Sequence, residues 1–360
     1  MRKHLFTFYS LFLLFAFFSC SKAQGQSTSR GSIYVAGGYN RSNTTIACVW
    51  KDGVMQELST PVGVSKSSAI SIAVSGSNVF VSGNFNNYST SSRDFACIWK
   101  DGVFQELAVP FGTTNRGAGS IVVSGSNVYI AGDYVKGGAV RTPCYWKDGI
   151  MQELRTPAGV RHAYAESIAI SGSNVYASGY YVNSNDYDFP CIWKDGVFQE
   201  LNTPKEARYS RTVSIAVSGS NVYVAGNYFH DEDYKDIACV WVNGVMQKLS
   251  VPYNTTNSEA ECITVSGSNV YVAGSYYSNG KRSACIWVNG KLQDLSIPEG
   301  SGMPSADSIA ISGSDVYVSG TYENSNGIMC ACIWVNGKHQ NLSVPEGSGY
   351  SFANSITIGR

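Results

Sequence analysis

The sequence predicts an all-β fold assembled from seven copies of one unit. Each copy contains one tryptophan, and successive tryptophans lie 46 to 49 residues apart. They are Trp50, Trp99, Trp146, Trp193, Trp241, Trp287 and Trp334. Every copy also contains short runs of alternating apolar and polar residues separated by glycine-containing turns. A period of this length with several strands per copy is typical of a closed ring. We therefore expect a seven-bladed β-propeller of four-stranded antiparallel blades.

The second copy shows how one blade is built. Residues 71–75 (SIAVS) alternate, turn at Gly76 and continue into NVFVSG, which predicts a tight hairpin. In a second hairpin, FACIW leads through Lys100-Asp101-Gly102 into VFQEL. Asp-Gly here, and Asn-Gly in copies five to seven, suit the type I′ turns of two-residue hairpins. Each blade should therefore have four strands of about five residues.

The two ends of the chain predict how the ring closes. Residues 32–37 (SIYVAG) have the sequence of a second strand, and residues 354–360 (NSITIGR) have that of a first strand. The C-terminal strand around Ser355 to Ile358 should complete the blade formed by residues 32–58, which leaves no open sheet edge. One domain then spans residues 31–360, with copies that start near residues 31, 76, 125, 172, 219, 267 and 313.

Residues 1–23 are predicted to be a signal peptide. Arg2 and Lys3 precede an apolar stretch at residues 5–18, which is too short to span a bilayer comfortably. The stretch runs into FFSC, which resembles a bacterial lipobox and implies lipidation of Cys20. Cleavage after Ala23 is the alternative. Residues 24–30 are polar and would form a tether. We expect an exported protein of the cell envelope or outer membrane, held by a lipid rather than a transmembrane helix, or alternatively a secreted one.

The exported part of the chain is nearly neutral. Residues 1–19 contain two basic residues and no acidic one, so 24 basic and 26 acidic residues remain. A charge this small gives no electrostatic footprint for nucleic acid. The expected partners are a glycan or a protein at the cell envelope, and the chain is expected to act as a monomer.

Most of the cysteines follow the repeat. Seven of the ten lie two residues before the repeat tryptophan: Cys48, Cys97, Cys144, Cys191, Cys239, Cys285 and Cys332. A disulfide needs Cα atoms within about 7 Å, and equivalent points on different blades are farther apart. We expect these residues to be small apolar fillers. No C-x2-C pair suggests zinc. Cys262 and Cys330 depart from the repeat, and both a paired and a free state are open for them.

The repeat is similar to two kinds of known repeat. A glycine ends the second strand and an aromatic residue lies on the third, as in kelch-type blades, although the Gly-Gly pair of that family occurs only at Gly37-Gly38. The segment ACVWKDGVMQEL at residues 47–58 resembles the HAF-type repeats of exported bacterial proteins. Cys48 and Ile46 stand where that family has an aromatic residue and a histidine. The resemblance implies an exported repeat protein and no particular activity.

The long, variable connections should all lie on one rim of the ring, which makes that rim the expected binding surface. Aromatic residues recur there two positions after the second strand's glycine, and others are scattered in the same loops. Rings with a hydroxyl group stack on sugars or anchor protein partners. The candidate ligand-binding residues are Tyr88, Tyr134, Tyr181, Tyr187, Tyr228, Tyr234, Tyr276, Arg161 and Arg208. For the aromatic residues at the fixed position, the alternative is packing against the neighbouring blade.

A second feature is the residue that enters each innermost strand. These residues should cluster near the ring axis: Ile70, Gly119, Glu166, Val213, Glu261, Asp307 and Asn354. Three carboxylates around a channel would suit a hard cation such as Ca²⁺, so Glu166, Glu261 and Asp307 are candidate metal ligands. Solvated side chains without a ligand are the alternative. No other cofactor is expected.

Two functions follow from these features. The first is a non-catalytic binding or scaffold protein that presents the variable rim to a glycan or protein. The second is a carbohydrate-active enzyme, a glycoside hydrolase or lyase, which for hydrolysis needs two carboxyl groups about 5 to 9.5 Å apart. The loop carboxylates available for it are Asp186, Asp188, Asp231, Glu232, Asp233 and Asp236.

Overall fold

A computed structural model describes residues 31–359, apart from residues 87–93 and 138–139, and omits the side chains of residues 115 and 116. The described chain forms 28 β-strands. The innermost strands are β4 (Lys66–Ser75), β8 (Thr114–Ser124), β12 (His162–Ser171), β16 (Ala207–Ser218), β20 (Thr255–Ser266), β24 (Gly302–Ser312) and β28 (Ser351–Gly359). The second strands are β1 (Ser32–Arg41), β5 (Asn78–Asn86), β9 (Asn127–Lys136), β13 (Asn174–Val182), β17 (Asn221–His230), β21 (Asn269–Ser278) and β25 (Asp315–Glu323).

The other two strand positions lie farther from the axis. The third strands are β2 (Thr44–Lys51), β6 (Asp94–Lys100), β10 (Val140–Lys147), β14 (Asp188–Lys194), β18 (Lys235–Val242), β22 (Lys281–Val288) and β26 (Met329–Val335). The outer strands are β3 (Val54–Glu57), β7 (Val103–Glu106), β11 (Ile150–Glu153), β15 (Val197–Glu200), β19 (Val245–Lys248), β23 (Lys291–Asp294) and β27 (Lys338–Asn341). In the part of the chain described, no helix is long and apolar enough to cross a membrane.

The strands pair as seven antiparallel blades. Blade 1 has the order β28-β1-β2-β3, and blades 2 to 7 use the following strands four at a time. Blades 4 and 5 also touch through one parallel pair, Asp188 with Tyr209. The predicted four-stranded blade is confirmed. The strand lengths differ from expectation, because the innermost strands have 9 to 12 residues and the outer strands four.

The C-terminal strand closes the ring as predicted. β28 pairs with β1 from Ser32 opposite Gly359 to Tyr39 opposite Ser351. It therefore supplies the innermost strand of blade 1, which β1 alone would leave with a free edge. The Asn354 side-chain amide also donates 2.7 Å to the Ala69 carbonyl of blade 2.

The repeat tryptophans and cysteines form the interior of the blade stack. All seven indoles are fully buried, and each donates its N–H to a backbone carbonyl of the preceding blade. Trp50 does so across the closure point, 2.7 Å from the Ser343 carbonyl. The seven repeat cysteines are buried beside them, and all nine described cysteines are free thiols, Cys262 and Cys330 included. The filler interpretation therefore fits.

The connections separate onto two rims. The hairpin rim carries the short turns, such as Asp101-Gly102, where both residues have positive φ as a type I′ turn requires. The Asp101 carboxylate there accepts from the Val79 amide at 2.7 Å and links the two hairpins of the blade. The variable rim carries the second-to-third-strand loops and the links between blades.

Candidate ligand-binding site at the axial cavity

A β-bulge in every innermost strand points one residue at the ring axis. The ladder shifts register between Ala165 and Ser167, for example, which leaves Glu166 without a partner. A shift recurs at the same place in the other blades, and in blade 3 it leaves two residues, Gly119 and Ser120, unpaired. All seven residues predicted to cluster at the axis line one cavity of about 560 Å³: Ile70, Gly119, Glu166, Val213, Glu261, Asp307 and Asn354.

The cavity wall carries several carboxyl groups, and their pKa values are raised. Desolvation, then the charge of Asp133, raises the pKa of Glu166 to about 7. Desolvation, then the charge of Asp307, does the same for Glu261. Desolvation raises the pKa of Asp307 to about 6, although hydroxyl groups of Ser305 and Thr321 donate to it. These groups therefore titrate near neutrality.

The three carboxyl groups do not converge. They come from blades 4, 6 and 7. Among the described residues, no group of three or more histidine, cysteine, aspartate or glutamate side chains is arranged to hold a metal ion. The Ca²⁺ hypothesis for Glu166, Glu261 and Asp307 stays a prediction.

An arginine–tyrosine stack (Arg141, Tyr164, Tyr180, Arg211) lies on the cavity wall at blades 3 to 5. The rings of Tyr164 and Tyr180 are stacked, 4.5 Å apart and inclined by 17°. The Arg141 guanidinium covers the first ring at 5.3 Å, and that of Arg211 covers the second at 4.6 Å. Each guanidinium is also tied to a carboxylate, which holds the four layers in place.

These two ion pairs are partly buried. Arg141 Nη1 lies 2.9 Å from Asp133, and Arg211 Nε donates 2.6 Å to Asp188, which is 5% exposed. The carboxylates fix the guanidinium planes against the rings, so the stack is preorganised. Of the four stacked residues, Tyr180 and Arg211 line the cavity.

An outer aromatic strip (Tyr187, Arg208, Tyr209, Phe229, Tyr234) continues along the variable rim of blades 4 and 5. Arg208 lies 5.5 Å from the centre of the Tyr187 ring and 5.4 Å from that of Tyr209. Tyr187 is 38% exposed and Tyr234 80% exposed. Two predicted residues, Tyr187 and Arg208, are thus brought together, and Tyr234 joins them through an edge contact with Phe229 at 6.2 Å.

The aromatic residues at the fixed repeat position belong to the core. Tyr134, Tyr228 and Tyr276 are buried against the neighbouring blade. The hydroxyl groups of Tyr134 and Tyr181 donate to carboxylates on the outer strand of the same blade, Glu153 and Glu200. The packing alternative therefore fits the buried rings of Tyr134, Tyr228 and Tyr276, whereas Tyr181 is half-buried. Ligand binding by these four residues stays a prediction. Tyr88 lies outside the described residues.

The loop carboxylates are mostly engaged in ion pairs. Arg161 pairs with Asp186, and Asp231 lies 3.9 Å from Arg208. Hydrogen bonding to Lys235 lowers the pKa of Asp233, which is the wrong direction for a general acid. Burial, then the charge of Glu259, raises the pKa of Asp236.

Sequence reasoning missed most of the arginine–tyrosine stack. Tyr180 occupies the position just before the fixed aromatic, where the other copies have Gly38, Asn84, Asp133, Asn227, Ser275 and Thr321. Asn84 and Asn227 bond there to the next blade's backbone at Ala118 and Ala260. A comparison of copies at this one position would have shown Tyr180 and Asp133 as exceptions.

Comparisons with known proteins agree with the fold. No protein-family model and no curated protein sequence matches the chain. A puromycin-hydrolysing peptidase of Mycobacterium tuberculosis is similar in structure, with a TM-score of 0.57 and 14% identity over 86% of this chain and 51% of that chain. A puromycin hydrolase has a TM-score of 0.53 and 11% identity over 88% and 53%.

A sialidase of Trypanosoma rangeli is more distant, with a TM-score of 0.46, 10% identity, and coverage of 84% of this chain and 56% of that chain. The chain thus spans about half the length of these enzymes. At such low identity the likeness concerns the fold alone. The chain is a β-propeller of seven four-stranded blades.

Proposed function

We propose that the protein binds a glycan on the variable rim, at blades 3 to 5. The observation that carries this proposal is the arginine–tyrosine stack on the wall of the axial cavity. A sugar offers an apolar ring face and many hydroxyl groups. The exposed rings of Tyr187 and Tyr234 in the neighbouring outer aromatic strip match the first, and the guanidinium and carboxylate groups of the stack match the second.

The position of the stack supports the same proposal. Ligand sites are concave, with few well-placed polar groups, and they are often carried by variable loops on a rigid scaffold. The cavity and the outer aromatic strip meet both conditions. The strip extends the aromatic surface outward from the cavity, which suits a chain of several sugars rather than a single one.

Glycan-array screening of residues 24–360 tests the proposal, with and without added Ca²⁺. We expect a specific hit that is weakened at least about tenfold by Tyr187→Ala and by Tyr180→Ala, the scale of a lost binding anchor. Tyr253→Ala is the matched control, because Tyr253 is fully exposed on the same rim and belongs to neither aromatic group. A blank array, or equal loss in the control, contradicts glycan binding and favours a protein partner.

We also propose that the chain is exported and lipid-anchored through Cys20, because residues 17–20 (FFSC) resemble a bacterial lipobox and the HAF-like resemblance implies export. Export gives a glycan binder access to envelope polysaccharides. Metabolic labelling with a palmitate analogue tests the anchor. Label on the wild type and none on Cys20→Ser supports it, whereas an unlabelled mature chain that begins at residue 24 supports secretion.

A carbohydrate-active hydrolase is the second candidate. It is favoured by the cavity carboxyl groups, since a general acid at neutral pH needs a raised pKa like that of Glu166. Incubation of any array hit with the protein, followed by product analysis, separates the two. Turnover that Glu166→Gln abolishes supports the enzyme, and an unchanged ligand supports the binder.

A further inference from the structure

We infer that the axial cavity binds amino groups of the ligand, so that the glycan recognised is one that carries free, protonated amines. This inference rests on the proposed glycan binding and adds the chemical class of the sugar. It comes from the distribution of charge inside the cavity.

The charged side chains in and around the cavity fall into two sets, those that form ion pairs and those that do not. Asp133 pairs with Arg141, Asp188 with Arg211, and Glu259 with Arg282 at 2.9 Å. Each of these three arginines, of which Arg211 lines the cavity, is therefore already matched by a carboxylate. In those same residues, Glu166, Glu261 and Asp307 form no ion pair.

Glu166 is the most informative of the three. It is half-buried, lines the cavity, and accepts no hydrogen bond from any described residue. A partly desolvated carboxyl group without a partner costs stability, because it loses part of its hydration and gains no hydrogen bond in return. Glu261 repeats this arrangement two blades away. A polar group from a ligand would supply the missing partner for both.

An organic ammonium fits these groups better than a metal ion. A hard cation such as Ca²⁺ needs several oxygen ligands that converge on it at about 2.3 to 2.6 Å. The carboxyl groups instead come from blades 4, 6 and 7 and form no such cluster in the described part of the chain. Ammonium groups spaced along an oligosaccharide can each meet one carboxylate.

Binding should then depend on pH in a defined direction. Glu166 faces Asp133, Arg211 and Arg141, and Glu261 faces Asp307, Glu259 and Arg282. With pKa values of about 7, both carboxyl groups are protonated at pH 5 and begin to ionise toward pH 7. An amine that stays protonated up to pH 7 then meets more negative charge as the pH rises. Affinity for an amino glycan should therefore rise from pH 5 to pH 7.

Two tetrasaccharides that differ only in the charge of the amine test the inference. Isothermal titration calorimetry of residues 24–360 would compare the tetramer of glucosamine with the tetramer of N-acetylglucosamine. We expect the glucosamine tetramer to bind at least about tenfold more tightly at pH 7.0 and to weaken severalfold at pH 5.0.

Variants identify the groups responsible. Glu166→Gln and Glu261→Gln should each remove most of the preference for the amine, whereas Glu346→Gln, at an exposed link residue, should leave it unchanged. Equal affinity for both tetramers, or a preference that survives both cavity variants, overturns the inference. If neither tetramer binds but the array gives neutral sugars, the inference fails while glycan binding stands. A blank array overturns both.

Discussion

The unpaired carboxyl groups of the cavity are the residues most clearly placed at the expense of stability. Desolvation, followed by the charge of a neighbouring aspartate, raises the pKa of Glu166 and of Glu261 from 4.5 to about 7. The shift measures a preference of the folded state for the neutral acid. A group retained under such a cost is a candidate for ligand contact rather than for structure.

Glu166→Gln and Glu261→Gln should therefore stabilise the protein in a pH-dependent way. Both carboxyl groups are protonated in the folded and unfolded states below about pH 4.5. Between pH 4.5 and 7 the unfolded chain releases the proton first, so the wild type loses stability as pH rises. Each variant escapes that loss. The gain should be absent at pH 4, and on the order of 1 to 3 kcal/mol at pH 8. Urea unfolding at the two pH values checks this, and a gain of equal size at both would contradict it.

Tyr134 and Tyr187 should respond in opposite ways to the same substitution. Tyr134→Ala removes a buried ring from between two blades and should cost about 3 to 5 kcal/mol of unfolding free energy. Tyr187→Ala removes a partly exposed ring and should change stability by less than about 1 kcal/mol, yet weaken ligand binding. Paired unfolding and binding measurements distinguish them. Loss of stability in Tyr187→Ala would place that ring in the core as well.

For single residues, the sequence predicted where a side chain lies better than what it contacts. The repeat identified all seven axis-facing residues, because each occupies the same place in its copy. It did not predict that Tyr164, Tyr180 and the two arginines stack, since these residues come from four different strands whose register is fixed only by the fold.

Among the elements, the bulged innermost strands do the most to shape the molecule. The residue after each bulge is a serine in six blades, and its hydroxyl accepts the amide of the next blade's inner strand. This serine belt comprises Ser71, Ser120, Ser167, Ser214, Ser308 and Ser355. Cys262 takes the seventh place, with the Ser214 and Ser308 hydroxyl groups 3.9 and 3.8 Å from its sulfur.

Ser167→Ala should weaken the contact between blades 4 and 5. The change removes the acceptor 3.2 Å from the buried Ile215 amide and leaves that amide unsatisfied. The expected cost is about 1 to 3 kcal/mol, measured by urea unfolding. The matched change Cys262→Ala removes only weak sulfur contacts and should cost less. A larger cost for the cysteine would contradict a structural role for the serine belt.

The innermost strands also explain an error in the predicted lengths. The alternating pattern in the sequence begins only at the serine, as in residues 71–75, because the bulge interrupts it. The structure shows that pairing resumes before the bulge, so β4 begins at Lys66. A bulge changes which side of the strand each residue faces, and a period-two pattern breaks there.

For the whole molecule, closure by β28 is the feature on which stability should depend most. Deletion of residues 353–360 would expose the edge of β1 and remove the Ser355 hydroxyl that accepts from the Ile72 amide at 3.3 Å. We expect a much lower midpoint of thermal unfolding, followed by tryptophan fluorescence, or failure to fold. Removal of residues 24–30 is the control of similar length and should have little effect. A truncated chain that melts like the full one contradicts the closure.

Overall architecture could be predicted because the repeat is regular, and function could not, because it depends on departures from that repeat. Blades 1 to 7 share their tryptophans, turns and bulges. Only blades 3 to 5 carry the arginine–tyrosine stack and the outer aromatic strip. The central claim is that this one sector of the variable rim is the binding site.

Hydrogen–deuterium exchange with and without a glycan found on the array tests that claim most directly. We predict slower exchange on binding in β16 around residues 207–213 and in the segment 180–189, which carry the stack and the strip. The hairpin-rim turns, such as residues 75–78 and 100–103, should exchange at the same rate in both states. Protection confined to the hairpin rim, or to blades 1, 2, 6 and 7, would contradict the account.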